Sequence, residues 1–212
     1  MSGKTPLKQK AYELISEKII NCEYPPNSFL NEQMLSDELK ISRTPIRDAL
    51  IRLQQNNLIK IFPKKGIVVT GVTPEVISSV YEIRGLIEPY IVRTYSSRIN
   101  LDYLEVLHKK MTEDLERGPV ETTFDDQFHK VITDSCPNKY IQDSIYAANI
   151  QDRRIRIVSG ASENRLRDSH KEHLVIIEKL CNKEFEVAAI LLSDHLKNAR
   201  LVALNTMVDK WR

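Results

Sequence analysis

Four side chains in the second half of the sequence are of the types, and at the spacings, that hold a transition metal. Asp125 and His129 stand four apart in TTFDDQFHKVI, which puts both on one face of a helix. His173 follows in SHKEHLVIIEKL and His195 in LLSDHLKNAR. Their apolar neighbours at helical spacing are Ile176, Ile177 and Leu180 for the first, and Leu191, Leu192 and Ala199 for the second; both histidines are therefore expected to face inward. One carboxylate and three imidazoles from separate helices suit zinc, nickel, manganese or iron, zinc and nickel foremost, with positions left open for a further ligand. Helical bundles build metal sites in this way, from side chains on facing helices. His170 and Asp126 compete for the same role. Each histidine taken alone is also the kind of residue that a core satisfies with a hydrogen bond, so the set carries the reading rather than any member.

A second group of residues lies near the start. In ISRTPIRDALIRLQQNNLIKIFPKKG, running from Ile41 to Gly66, Arg43 and Arg47 fall four apart on the first turns of one helix. A helix N-terminus directs free N–H groups and the positive end of its dipole toward phosphate. Two arginines there can reach guanine edges or the backbone in a major groove. Lys64 and Lys65 suit phosphate or minor-groove contacts at a turn, and Gly66 lets backbone approach closely.

The elements that must position these groups can be read from pattern. Residues 8–20 repeat apolar side chains at Ala11, Leu14, Ile15 and Ile19, a helical spacing ended by Pro25-Pro26-Asn27. Asn31 is a cap for a short second helix burying Met34, Leu35 and Leu39. Ser42 caps a third, with Pro45 tolerated in its first turn and Ile46, Leu50 and Leu53 inward. Asn56-Asn57 ends that helix. Leu58–Phe62 and Ile67–Thr70 are short and β-branched, joined by Pro63-Lys-Lys-Gly66, and read as a hairpin. Three helices with a tight turn between the second and third, then a hairpin, is the plan of a winged helix-turn-helix. Beyond Gly71, Thr73-Pro74-Glu75 opens a run with no strand signal. Its breaks are Asn100, Gly118-Pro119, Cys136-Pro137-Asn138, Ser159-Gly160 and Cys181-Asn182, which predicts an all-α bundle of about six helices. The fold class is thus mainly α, with a winged helix-turn-helix over 1–72 and a helical domain over 73–212.

Composition agrees. Hydrophobic residues make up 42% of the 212, and the 6 glycines and 9 prolines are too few for an all-β or disordered chain. No run approaches the roughly 20 apolar residues of a membrane span. Cys22, Cys136 and Cys181 are odd in number and widely spaced, which fits reduced thiols in the cytoplasm better than a disulfide framework or a zinc finger. Residues 1–72 hold 11 Lys/Arg against 7 Asp/Glu, a net +4, and the remainder 20 against 22, a net −2. The basic excess sits with the arginine-bearing helix and leans toward a polyanion partner.

With these motifs in hand the first half resembles the GntR family of bacterial transcription regulators. It carries Leu30-Asn31-Glu32, then Ser42-Arg-Thr-Pro-Ile-Arg-Asp-Ala-Leu-Ile-Arg-Leu53, then Leu58-Ile59 and Lys64-Lys65-Gly66. The second half is similar to the FCD type of effector domain in the FadR-like subgroup, through Arg84–Glu88, Asp125-x-x-Phe128-His129, His173 and His195. The resemblance implies a homodimer reading a pseudo-palindromic duplex operator, commonly as a repressor, whose bundle binds a small organic acid through a divalent transition metal. It also implies that Ser42, Arg43, Thr44 and Arg47 contact the operator, with Gln33 beside them, and that Asp125, His129, His173 and His195 hold the metal. Arg84 borders the stripe Val76, Val80, Ile83, Ile87; it could grip the effector's carboxylate as a planar fork or bridge to Glu88 four residues on. Arg153, Arg154 and Arg156 are further anion partners. Two other classes share these residues: a regulator whose signal is the metal itself, and a metal-dependent enzyme with a DNA anchor, for which no free general base is evident.

Overall fold

The computed structural model describes residues 6–63, 65–160 and 162–210, with side chains as far as Met207. The chain divides into two compact units, Met1–Thr73 and Pro74–Arg212, one residue beyond the division that composition suggested.

In the first unit α1 (Leu7–Ile20), α2 (Glu32–Leu39) and α3 (Arg43–Gln55) enclose a small core. Ile15, Ile19, Leu35, Ile46, Leu50 and Leu53 are fully buried there, and α1 lies along α3. Each such side chain contributes about 1.5–3 kcal/mol through the water it sheds. Met34 and Leu39, expected inside, are only half-buried, because a helix of 8 residues, about two turns long, buries only Leu35 fully. Asn31 caps α2, its side chain accepting from the Met34 N–H. The tight turn before α3 runs through Lys40, which takes a left-handed φ of 56°. Asn27 and Asn57, which stand where glycine would be easiest, likewise have φ of 66° and 56°. The hairpin is β2 (Ile59–Phe62) with β3 (Gly66–Val69), in register Ile59↔Val69 to Phe62↔Gly66. A third strand, β1 (Phe29–Leu30), pairs on the far side of β3. Two residues are too few to show a period, so only the paired partner reveals that strand.

In the second unit, among the described residues, six α-helices follow one another. They are α4 (Pro74–Tyr95), α5 (Leu101–Arg117), α6 (Thr123–Asp134), α7 (Lys139–Ser159), α8 (Glu163–Cys181) and α9 (Phe185–Lys210), with a 3-10 turn at Ser96–Arg98. Proline opens α4, where its missing N–H has no helical role. α5, α7 and α8 start at side-chain caps: Asn100, Asn138 and Ser162 each accept from a first-turn N–H. α4 packs most extensively on α9 and also on α7, while α8 packs on α5 and α9. α6, α7 and α9 thus pack against α4, and Arg84, Glu88, His129, Asp152 and His195 are buried on these four helices.

Candidate metal centre and nucleic-acid interface

The four residues singled out for metal chemistry converge. Asp125 and His129 come from α6, His173 from α8 and His195 from α9, and one ligand atom of each lies within 4.8 Å of all the others. His129, His173 and His195 are buried and Asp125 is half-buried. His173 Nε2 lies 3.1 Å from His195 Nε2 and 3.7 Å from an Asp125 oxygen. A cation with imidazole bonds of about 2.0–2.1 Å sets neighbouring ligand atoms about 2.9–3.4 Å apart, so the two imidazole nitrogens stand as such a pair would. Phe128 packs against the His173 ring at a centroid distance of 4.4 Å and closes one side.

Carboxylates orient two of the rings. His129 Nδ1 is 2.5 Å from Glu88 Oε2, and His195 Nδ1 is 2.6 Å from Glu172 Oε2. A carboxylate only accepts, so each Nδ1 carries the proton and each Nε2 is the nitrogen left for a ligand bond. His129 Nε2 is buried with no hydrogen-bond partner, an arrangement a core normally avoids. Burial lowers the pKa of His173 well below its usual value, helped by His195, and burial likewise lowers His195. Both therefore stay neutral at pH 7. Burial would raise Glu88 and Glu172, yet the nearby cations and histidines win, and each falls to about 2. Asp125 is also opposed by burial and is nonetheless held well below the carboxylate range, by Arg156 foremost, then His129 and His173. The donor set is thus one ionised carboxylate and three imidazoles, and it fits a divalent transition metal.

The two competitors lie apart from this set. His170 Nδ1 faces the Leu166 carbonyl at 3.1 Å and its Nε2 approaches Asp114. Asp126 pairs with Arg153 and Arg156. Arg84 is buried, its Nε donating to Glu88 at 2.8 Å and one terminal amino group 2.7 Å from Asp152. The i,i+4 bridge weighed from the sequence is therefore present. Arg84 also lines a cavity of about 50 Å³ beside the histidines, together with Arg156, Arg165, Asp125 and His195. Such a volume takes about three to five water-sized centres.

The residues expected to read DNA are exposed as a group: Gln33, Ser42, Arg43, Thr44 and Arg47 all face solvent. Ser42 occupies the N-cap of α3 in extended conformation, but its side chain makes no cap hydrogen bond. Arg43 donates to Gln33, whose amide in turn reaches both Asp37 oxygens at 2.7 and 2.8 Å. Arg47 Nε donates to both oxygens of Glu32, at 2.9 and 2.7 Å. At the turn of the hairpin Lys65 is exposed and Gly66 has φ +112°, a conformation that L side chains rarely adopt; Lys64 lies outside the described residues.

Sequence reading missed Glu32, Glu172 and Asp152 as partners. Glu32 and Glu172 gave no usable signal, because each pairing crosses between helices. Asp152 had one: it stands four before Arg156, the same interval as Arg84–Glu88 and Asp125–His129.

Comparison with known proteins places both units. Residues 7–69 match the model for bacterial regulatory proteins of the gntR family, and residues 79–198 match the FCD domain. The HTH-type transcriptional repressor RspR of Escherichia coli (strain K12) is 25% identical over 197 residues, covering 91% of this chain and 86% of its own length. Among solved structures, E. coli McbR/YncC superposes with a TM-score of 0.80 at 18% identity, covering 95% of this chain and 98% of that one. The metal-free FCD domain of TM0439 gives a TM-score of 0.56 at 22% identity, over 66% of this chain and 99% of that one. With a helix-turn-helix model matched across its first unit and an FCD model across more than half its length, the chain belongs to the GntR family of bacterial regulatory proteins and carries an FCD domain.

Proposed function

We propose that this DNA-binding transcription regulator acts as a repressor, released or retained on its operator by a small organic acid bound at a metal centre in the FCD domain. The observation that carries the reading is the convergence of Asp125, His129, His173 and His195 within 4.8 Å, with a buried His129 Nε2 that has no partner inside the protein. Those four residues would hold a divalent ion, zinc or nickel first. Bound there, the ion acts as a Lewis acid with open positions that a carboxylate can fill. The neighbouring cavity of about 50 Å³ sets the effector class as an acid of few heavy atoms. That one relative is named a repressor, and that a solved FCD domain is described as metal-free, both support this reading. The relatives are named as transcriptional regulators or repressors.

Ser42, Arg43, Thr44 and Arg47 would read one half-site, with Gln33 beside them and Lys64, Lys65 and Gly66 tracking the backbone. A homodimer pairs two such heads over a pseudo-palindrome. Acting on bacterial DNA fits a cytoplasmic location. No described helix is long and apolar enough to cross a membrane.

The test is the metal content of protein purified without a metal-affinity tag, beside a His173→Ala, His195→Ala double variant. About one transition-metal ion per chain in the first and none in the second is the expected result. No metal in either, after zinc, nickel and manganese have each been offered, overturns the metal half and leaves the DNA half standing. Operator release by metal alone, with no organic acid, would make the ion itself the signal.

A further inference from the structure

Three helices each contribute a charged or ligating pair spaced by four residues, and the pairs close into a ring. Arg84 and Glu88 lie on α4, Asp125 and His129 on α6, Asp152 and Arg156 on α7. Starting at the candidate metal ligand His129, its Nδ1 meets Glu88 at 2.5 Å. The other Glu88 oxygen is 2.8 Å from Arg84 Nε, and Arg84 reaches Asp152 at 2.7 Å. Asp152 lies 3.1 Å from Arg156, which lies 2.9 Å from Asp125. Asp125 is again a candidate ligand. Signs alternate around the path: Glu88, Arg84, Asp152, Arg156, Asp125. Both ends are carboxylates, one directed at the metal position and the other at the back of His129.

Stability does not account for such a frame. Taking five charges out of water is repaid only in part by their mutual attraction, and apolar side chains of similar volume would hold three helices together as well or better. What a buried ionic path does supply is register: each helix is fixed against its neighbours at one spacing, with Asp125 and His129 at the closing gap. The five charges sum to one negative, and the three imidazoles add none when neutral. A divalent cation at the gap therefore reverses the sign of the cluster, so every pairing along the path responds to whether the site is filled. α4 is also the helix that begins at Pro74, immediately after the DNA-binding unit ends at Thr73. Arg84 stands about 15 Å along it from that junction, at about 1.5 Å per residue.

Resting on the metal reading above, we infer that Glu88, Arg84, Asp152 and Arg156 are a positioning frame that holds Asp125 and His129 as ligands and transmits the filling of the site to α4. Arg84 then acts through Glu88 and Asp152 instead of gripping the effector itself.

Asp152 is the discriminating position, because it contacts two arginines and none of the four candidate ligands. The experiment uses the full chain as wild type, Asp152→Asn and Glu88→Gln. Zinc affinity is read by competition with a chromophoric chelator, and backbone hydrogen exchange of α4 is read with and without zinc. In the wild type, zinc slows exchange in the part of α4 that carries Arg84 and Glu88. Asp152→Asn and Glu88→Gln each weaken zinc binding about 10–100-fold, the range for partners behind metal ligands, and abolish that slowing at a zinc concentration that saturates the variant. Zinc affinity within about threefold of wild type in both variants, with the α4 response intact, overturns the inference. If Asp152→Asn fails to fold by circular dichroism, Glu88→Gln and an Arg84→Lys variant decide it by the same criteria. Affinity loss with α4 exchange indifferent to zinc in the wild type refutes transmission and keeps positioning. A wild type that takes up no zinc, nickel or manganese refutes the metal reading and this inference with it, an outcome distinct from wild-type binding that the variants share.

Discussion

Replacing Arg47 by alanine should separate DNA reading from folding. Its side chain is 64% exposed and that of its partner Glu32 is 32% exposed. An ion pair in that setting is worth about 0–1 kcal/mol, so the variant should unfold within that margin of wild type. The loss on DNA should be far larger. Glu32 holds Arg47 at Nε only, and among the described residues the terminal amino groups of Arg47 make no hydrogen bond. A bidentate contact from those groups to guanine discriminates by about 1–3 kcal/mol. The proposed homodimer would lose it twice, about 2–6 kcal/mol, which at about 1.4 kcal/mol per tenfold is a factor of roughly 30 to 20,000 in operator affinity. Random duplex should lose much less, since only a charge is removed. The assay is fluorescence anisotropy at one fixed salt concentration, with an operator selected by the wild type from random duplexes and an unselected duplex as reference. A ratio of operator to random affinity within twofold of wild type refutes base reading by Arg47. An equal drop on both duplexes makes it a phosphate contact and refutes the assignment just as firmly.

Three further outcomes are expected. Zinc at about 100 times its dissociation constant should stabilise the protein by about 2.7 kcal/mol, a rise in Tm of about 5–10 °C. The His173→Ala, His195→Ala variant should show no such rise in a thermal scan. In metal-stripped protein the pKa of His173 and of His195 is depressed by burial, so below about pH 6.5 the unfolded chain binds protons that the folded chain refuses. Stability should therefore fall on acidification from that pH, by up to about 1.4 kcal/mol per pH unit for each group; urea melts showing flat stability from pH 7 to 5.5 would contradict it. Finally, Lys40→Gly at φ 56° removes about 1–2 kcal/mol of left-handed strain against about 0.4–1 kcal/mol of added unfolded-chain freedom. The difference is about 0–1.6 kcal/mol in favour of glycine, so the melt should shift upward, and a downward shift would show that the lysine side chain contributes more than its backbone loses.

Much of this molecule was legible from local chemistry. The breaks at Asn100, Gly118, Asn138, Gly160 and Asn182 fall at helix ends, because capping and left-handed geometry are set by one or two residues at the break itself. Ser42 lies at a helix N-cap and Arg43 and Arg47 on an exposed face, since a short interval along one helix fixes direction. The interval of four between Asp125 and His129 determined by itself that they share a face.

What the linear order left open was decided by packing. A strand of two residues, β1, exists because β3 offers it hydrogen bonds. Which carboxylate stands behind which histidine depends on how α4 lies against α6 and α8 against α9: Glu88 is 41 positions from His129 and Glu172 is 23 from His195. Arg84 had two readings in sequence because a guanidinium on the edge of a buried stripe can turn toward solvent, ligand or neighbour. The tertiary structure surrounds it with Glu88 and Asp152, since an arginine buried at 3% exposure must find carboxylates within reach. Helical periodicity reports the face a residue occupies; only the assembled helices determine what that face meets.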